Sequence, residues 1–359
     1  MSRAPALLVS LSLLAGCTGA SGRSPAASSP SATATPSTGR TVLPAIVLRA
    51  SAKERVRRWR RVAFIPFGPR TSDLGFHVVG DLAPSEPYSF AIAPDGSFWV
   101  ADRWKRRLAH YSSGGGFLGA VPVSPSASGW LHDMEFVGAT LYAETNEQLG
   151  HMVAMGADQR VRLFSATSAG RSIFTEGFYP TPAGLVSSTP GTTESMLGTG
   201  PQEGPFGYVR IDPGTGAVTP LDGLPLGDGS SFSSEESSAG TFDVAFAAPG
   251  HLAVQPLSIE YSRDGRHTTP SSGGPGEFTV VGHDVLAFVS ISAARPRNDL
   301  DGGRWLLRLG RSPLLWERLP MPTDGFDDSV QRRHIAVGPD GSIYLMLAGR
   351  GGELILRRP

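Results

Sequence analysis

Cysteine is almost missing: the sequence holds a single one, Cys17, in 359 residues. A disulfide framework or a thiolate metal site in the folded part is thereby excluded. Charge is scarce as well, at 18% of residues, and Lys+Arg 32 against Asp+Glu 32 leaves a net charge of zero. No global field recruits nucleic acid or an acidic surface. Long apolar runs are also missing, since the stretch Ala4 to Ala15 falls short of the ~20 residues that a spanning helix needs. Zinc spacing, a P-loop, a dinucleotide fingerprint and a Gly-x-Ser-x-Gly elbow do not occur. The Gly-rich runs Gly114-Gly115-Gly116 and Gly349 to Gly352 therefore read as strand turns, not phosphate cradles. What is plentiful is Gly, at 45, and Pro, at 30. That density breaks helices throughout. Apolar residues at 40% still suffice for a sizeable core.

The first residues read as an address. Met1-Ser2-Arg3 is a short positive start, and the apolar stretch after it ends in Leu14-Ala15-Gly16-Cys17. This ending resembles the lipobox of bacterial lipoproteins. The resemblance implies a signal peptide over 1–16, cleavage before Cys17, and acylation of Cys17 as the membrane anchor. Several acyl chains on one residue hold a protein stably where a single chain does not. The expected location is therefore exported and lipid-anchored to the bacterial cell membrane or outer membrane. Residues 17–41 are the acylated cysteine and a Ser/Thr/Ala/Pro/Gly tract, whose composition cannot offset the entropy of ordering and predicts a disordered tether. Residues 42–61 hold the one strongly basic run, Lys53 to Arg61, read as a solvated segment ahead of the domain.

From 62 to 359 the pattern is short strands broken by Gly, Pro and Asp turns, so the fold class is all-β. Phe90 to Val100 stacks on Ile335 to Leu345 without a gap, each with Pro-Asp-Gly-Ser between two alternating runs. Asp-Gly between such runs is a strong hairpin signal. Met134 to Ala143, Val244 to Val254 and Phe278 to Phe288 fit the same template, and Ala183 to Ser188 opens a sixth copy. Six hairpins at a mean spacing near 40–50 residues predict a six-bladed β-propeller. The last copy runs out of chain after three strands, and Leu74 to Asp81 offers the missing outer strand, so an N-terminal strand closes the ring.

Phe90 to Asp102, continuing into Arg107-Leu108, resembles the NHL repeat in its Asp-Gly turn, its Trp-Val-Ala-Asp strand and its Arg-Leu continuation. The last blade matches as far as Tyr344-Leu345, and the other blades match only in their apolar skeleton. The resemblance implies a six-bladed propeller of the NHL-like kind and little about activity, since such folds host binding modules and enzymes alike.

One polar constellation stands out. The residue just before each innermost strand points into the mouth of the central channel. In this stacking those residues are Ser89, Asp133, Asp243, Glu277 and His334, with His132 beside Asp133. Three carboxylates there, Asp133, Asp243 and Glu277, are a candidate set for a divalent Ca or Mg ion, and with the histidines they make a candidate ligand site. The same groups also serve to cap backbone amides and hydrate a channel, and that is the reading taken. No cofactor is expected. Function is read as a non-catalytic ligand- or protein-binding module of the envelope. Its partners are the membrane through Cys17 and an envelope protein or small molecule, without nucleic acid. The alternative is a metal-assisted lyase or lactonase at the channel mouth.

Overall fold

The computed structural model describes residues 39–359 except 52–55, 57–58, 77–86, 124–130, 147–150, 169–170, 173–176, 190–206, 239, 264–265, 269–271, 295–299, 313, 321–332 and 350. The signal peptide, Cys17 and nearly all of the tether fall outside the described residues. Strands appear in chain order as β1 (Gly39–Val42), β2 (Ile46–Ser51) and β3 (Arg60–Pro66), all preceding the first full blade. Blade 1 is β4 (Phe90–Ile92), β5 (Phe98–Asp102), β6 (Arg107–Tyr111) and β7 (Phe117–Pro122). Blade 2 is β8 (Met134–Val137), β9 (Thr140–Asn146), β10 (His151–Met155) and β11 (Val161–Ser165). A small ribbon, β12 (Thr167–Ser168) and β13 (Arg171–Ser172), follows it.

Blade 3 is β14 (Phe178–Thr181), β15 (Gly184–Thr189), β16 (Gly207–Ile211) and β17 (Val218–Leu221). Blade 4 is β18 (Leu224–Pro225), β19 (Ser231–Ser238), β20 (Thr241–Ala248) and β21 (His251–Arg263), with β22 (Arg266–Thr268) folded back on β21. Blade 5 is β23 (Ser272–Val281), β24 (Asp284–Ala294), β25 (Leu300–Leu309) and β26 (Leu315–Arg318). Blade 6 takes β27 (Ile335–Val337), β28 (Ile343–Gly349) and β29 (Gly352–Arg358) from the end of the chain, and β3 as its outer strand. The protein is a six-bladed β-propeller closed by an N-terminal strand.

Apolar clusters between blades make the ring continuous. Leu108 and Trp99 of blade 1 share a cluster with Leu141 and Val153 of blade 2. Tyr142 and Met152 of blade 2 meet Leu185 and Val209 of blade 3, and Phe232, Val285 and Trp305 join blades 4 and 5. Leu286 and Leu306 pack on Leu345, and Phe98 and Tyr111 pack on Met346 and Ile355, so blade 6 seals against both of its neighbours. Each shared face excludes water from two sheets, which is why no blade is stable alone.

The structure corrects three expectations. The closing strand is Arg60–Pro66, not Leu74 to Asp81: it pairs antiparallel with β29 from Pro66↔Gly352 to Arg60↔Arg357. Its Ala63 and Ile65 are buried while Phe64 is 43% exposed, a strand alternation that the arginines beside it disguise. An outer edge tolerates such charges and uses them to discourage further pairing. Leu74 makes only an isolated bridge to Phe67, and residues 77–81 lie outside the described residues. Second, the segment 42–61 is not ahead of the domain: β1 and β2 add in parallel to the outer edge of β21, with Leu48 and Ala50 buried there. Third, two blades begin upstream of the strand the pattern suggests. Blade 3 begins at Phe178, and Gly184–Thr189 is its second strand; blade 4 begins at Leu224, and β20 is its third.

Candidate functional site

The six inner strands run the same way, so their starts gather at one end of the axis and their turns at the other. Direct contacts establish this at the starting end. The Ser89 hydroxyl, just before β4, donates to Asp133 Oδ1 at 2.6 Å, and the Phe178 amide at the start of β14 donates to Asp133 Oδ2 at 2.7 Å. Asp133 immediately precedes β8, and its Oδ1 also accepts the Met134 amide at 2.8 Å.

The organising group is one that the sequence reading did not single out. Arg333, two residues before β27, reaches across the axis with its side chain 3% exposed. Its Nε donates to Asp133 Oδ1 at 2.8 Å and its Nη2 to Asp133 Oδ2 at 2.7 Å, a bidentate pair. Nη1 donates to Glu135 Oε2 at 2.7 Å, and Nη2 also donates to the Phe178 carbonyl. The Arg333 backbone amide donates to the Tyr88 carbonyl at 3.2 Å. One residue of blade 6 thus ties blades 1, 2 and 3. In Arg332-Arg333-His334 the doublet looks like a solvated surface run, so no local signal marked it.

The second half of the site lies between blades 5 and 6. Glu277 accepts the His334 amide at 2.7 Å, the Ile335 amide at 2.9 Å and the His334 Nδ1 contact at 3.3 Å. His334 stacks on Phe288 with centroids 4.2 Å apart, and the Arg304 guanidinium lies 5.6 Å from the centre of that ring. Buried His334 Nε2 has no hydrogen-bond partner among the described residues.

Of the expected residues, Ser89 and Asp133 meet directly, and Glu277 meets His334. His132 sits at the rim, with its ring edge-on to Tyr88 at 5.3 Å and its amide on the Glu144 carbonyl. Asp243 is elsewhere: it is an exposed residue on β20, opposite Glu235 and Pro256. Asp133, Asp243 and Glu277 therefore do not converge as a cation set. A recurring turn in the sequence could have placed blade 4 correctly. Asp228-Gly229-Ser230 repeats Asp95-Gly96-Ser97 and Asp340-Gly341-Ser342. In each, the Asp carboxylate accepts the Ser amide and hydroxyl, and the Gly has φ between 78 and 81°.

Burial and charge act against each other here. Burial favours a neutral Asp133, but the Arg333 guanidinium, Ser89 and the Phe178 amide outweigh it and hold the carboxyl below its usual range. For Glu135 burial wins: despite Arg333 its carboxyl is pushed up to about 7, with Asp133 and Glu277 adding repulsion. Burial would strip the Arg333 proton, but Asp133 and Glu135 more than compensate and hold it protonated. Burial depresses His334, which Glu277 offsets only in part. Chemically the arrangement is a plug whose polar atoms are largely committed to one another.

At the opposite end of the axis a cavity of about 260 Å³ lies among the turns, lined by Phe136 and Gly138 of blade 2, Pro180 and Pro182 of blade 3, and Val280 and Gly282 of blade 5.

No family model matches the sequence, and no curated protein does either. Among solved structures, similarity extends to a Bacteroides fragilis protein described as exported, with TM-score 0.48 and 10% identity, covering 87% of this chain and 99% of that one. A member of the DUF4221 family from Bacteroides vulgatus gives TM-score 0.47 and 9% identity over 85% and 97% of the two chains. Virginiamycin B lyase from Staphylococcus aureus gives 0.41 and 11% over 76% and 94%. At these identities nothing about activity carries over.

Proposed function

We propose that this protein is an exported lipoprotein, anchored through acylated Cys17, whose NHL-like propeller is a non-catalytic binding module of the cell envelope. The observation that carries the non-catalytic half is the commitment of the axial carboxylates. Asp133 accepts from Ser89, Met134, Phe178 and twice from Arg333, and Glu277 caps the start of β27. A general base or a cation ligand needs lone pairs facing substrate, and here they face backbone amides and a guanidinium. The anchoring half rests on Leu14-Ala15-Gly16-Cys17 and the polar tract behind it.

Detergent-phase partitioning of the full chain and of Cys17→Ser tests the anchor. The wild type should enter the detergent phase and the variant the aqueous phase; equal partitioning overturns it. The non-catalytic half is tested by chelation: melting in EDTA should match melting in excess Ca²⁺ or Mg²⁺. A midpoint raised by either cation, and lost in Asp133→Asn, would put the metal-assisted lyase or lactonase reading first.

A further inference from the structure

The turn between β5 and β6, Arg103-Trp104-Lys105-Arg106, lies at the mouth end of blade 1, because β5 runs antiparallel to β4 and back toward its start. A polar framework fixes this turn from beneath. Lys105 Nζ donates to the Arg70 and Asp73 carbonyls, both at 2.7 Å. Asp102 accepts the Lys105 amide at 3.2 Å, the Gly75 amide at 3.1 Å and Arg107 Nε at 2.8 Å. Arg107 reaches on to the Thr71 and Asp73 carbonyls, both at 2.6 Å.

What the framework leaves outward is costly to keep. Trp104 is 49% exposed, a large ring held partly in water. Arg106 is exposed and has φ +52°, a left-handed backbone that suits glycine and strains other residues. The Arg103 guanidinium lies 5.0 Å from the centre of the Tyr88 ring, and Tyr88 stands edge-on to His132 at 5.3 Å. A strip of cations and rings thus runs from Trp104 to the channel mouth. Arg70 is exposed beside it, while Asp73 and Asp102 are buried and committed to the framework. Backbone strain kept at a rigid, exposed turn points to use. Trp and Arg are the side chains that dominate binding energy at interfaces, and a pre-ordered turn loses little entropy on docking.

We infer that this strip docks an acidic, aromatic-bearing peptide segment of a protein partner, with Arg103 and Arg106 on its carboxylates and Trp104 on its apolar groups. The inference rests on the binding-module reading and gives the partner's chemistry. The partner's charge follows from complementarity, since every charged side chain of the turn is positive. A membrane reached through the N-terminal chain is the poorer fit. That chain joins the ring at Gly39, whose amide donates to the Gly250 carbonyl in the β20–β21 turn. Direction alternates from β18 through β21, so this turn lies at the end away from the mouth. Blade 4 also stands opposite blade 1 in the ring of six. The junction and the strip are therefore on opposite blades and at opposite ends.

The test is fluorescence anisotropy of a labelled peptide of Glu-Glu-Phe repeats, titrated with the full chain carrying Cys17→Ser so that acylation plays no part. Binding should saturate, weaken at high salt, and fall about tenfold in Trp104→Ala and in Arg106→Asn. The melting midpoint of Arg106→Asn should stay level or rise, because Asn takes the left-handed backbone more readily than Arg. A merely structural role would move affinity and midpoint down together. No binding, an affinity unchanged in both variants, or a loss that tracks a lowered midpoint overturns the docking strip. Each of these leaves the non-catalytic reading standing, since chelation decides that separately. Binding to phosphatidylglycerol vesicles that the same variants lose, without binding of the peptide, assigns the strip to a membrane and also overturns the inference.

Discussion

Arg333 and Asp133 are 200 residues apart in sequence and share two hydrogen bonds of 2.8 and 2.7 Å inside the propeller's axis. Removing one partner of such a pair strands the other in the interior. Arg333→Met should therefore cost about 3–5 kcal/mol of stability, read by urea unfolding. Adding Asp133→Asn to it should recover part of that loss. Strict additivity in the double-mutant cycle would mean that the pair is energetically idle.

A second expectation concerns the acid side. Burial lowers the His334 value below 6.5 in the fold, so under mildly acidic conditions the unfolded chain takes up a proton that the folded one refuses. His334 thus favours folding above pH 6.5, and its contribution is lost as pH falls through the lowered value. The melting midpoint of His334→Gln should decline less than that of the wild type over this window. Parallel curves would assign the acid sensitivity to other groups.

Two glycines should respond differently to the same change. Gly341, with φ +78°, has open space where a side chain would go, so Gly341→Ala should cost only the left-handed backbone term of about 1–2 kcal/mol. Gly216 has φ +74°, and an added Cβ would also run into the Ser165 carbonyl at the blade 2–blade 3 junction. Gly216→Ala should lower the melting midpoint well beyond Gly341→Ala; equal shifts would rule out the close approach.

Truncation separates the two roles of the N-terminal strands. Removing residues through 51 takes β1 and β2 off the edge of blade 4 and uncovers that blade's side. Removing residues through 66 also takes β3 and leaves β29 as an open edge. The shorter truncation should fold with a lower midpoint, and the longer one should aggregate. Identical behaviour would deny β3 a closing role.

The sequence pattern resolved hairpins better than it resolved their place in a blade. Pro94-Asp95-Gly96-Ser97 and Pro339-Asp340-Gly341-Ser342 located blades 1 and 6 because each turn joins the first two strands. In blade 4 the same alternation recurs in Val244 to Val254, but there it joins the third and fourth strands. Period-two patterning is identical for any antiparallel pair, so it cannot tell an inner hairpin from an outer one. What separates them in blade 4 is the Asp228-Gly229-Ser230 turn, which joins β18 to β19. Asp133 precedes β8 and His334 precedes β27, as the pattern places them; Glu277 instead lies inside β23, beside a bulge, and Arg333 becomes visible only when blade 6 faces blade 2.

The ring's seam sets a timetable for folding. Arg60 pairs with Arg357, and Ile46 to Ser51 pair with Leu257 to Ser262, so the first strands made have no partners until most of the chain exists. Closure cannot begin before the last seven-residue strand, Gly352–Arg358, has emerged. Folding is therefore dominated by distant pairings, which makes it slow and leaves strand edges open to other chains in the interval. A chain cut before Gly352 would leave β3 without a partner and the ring open.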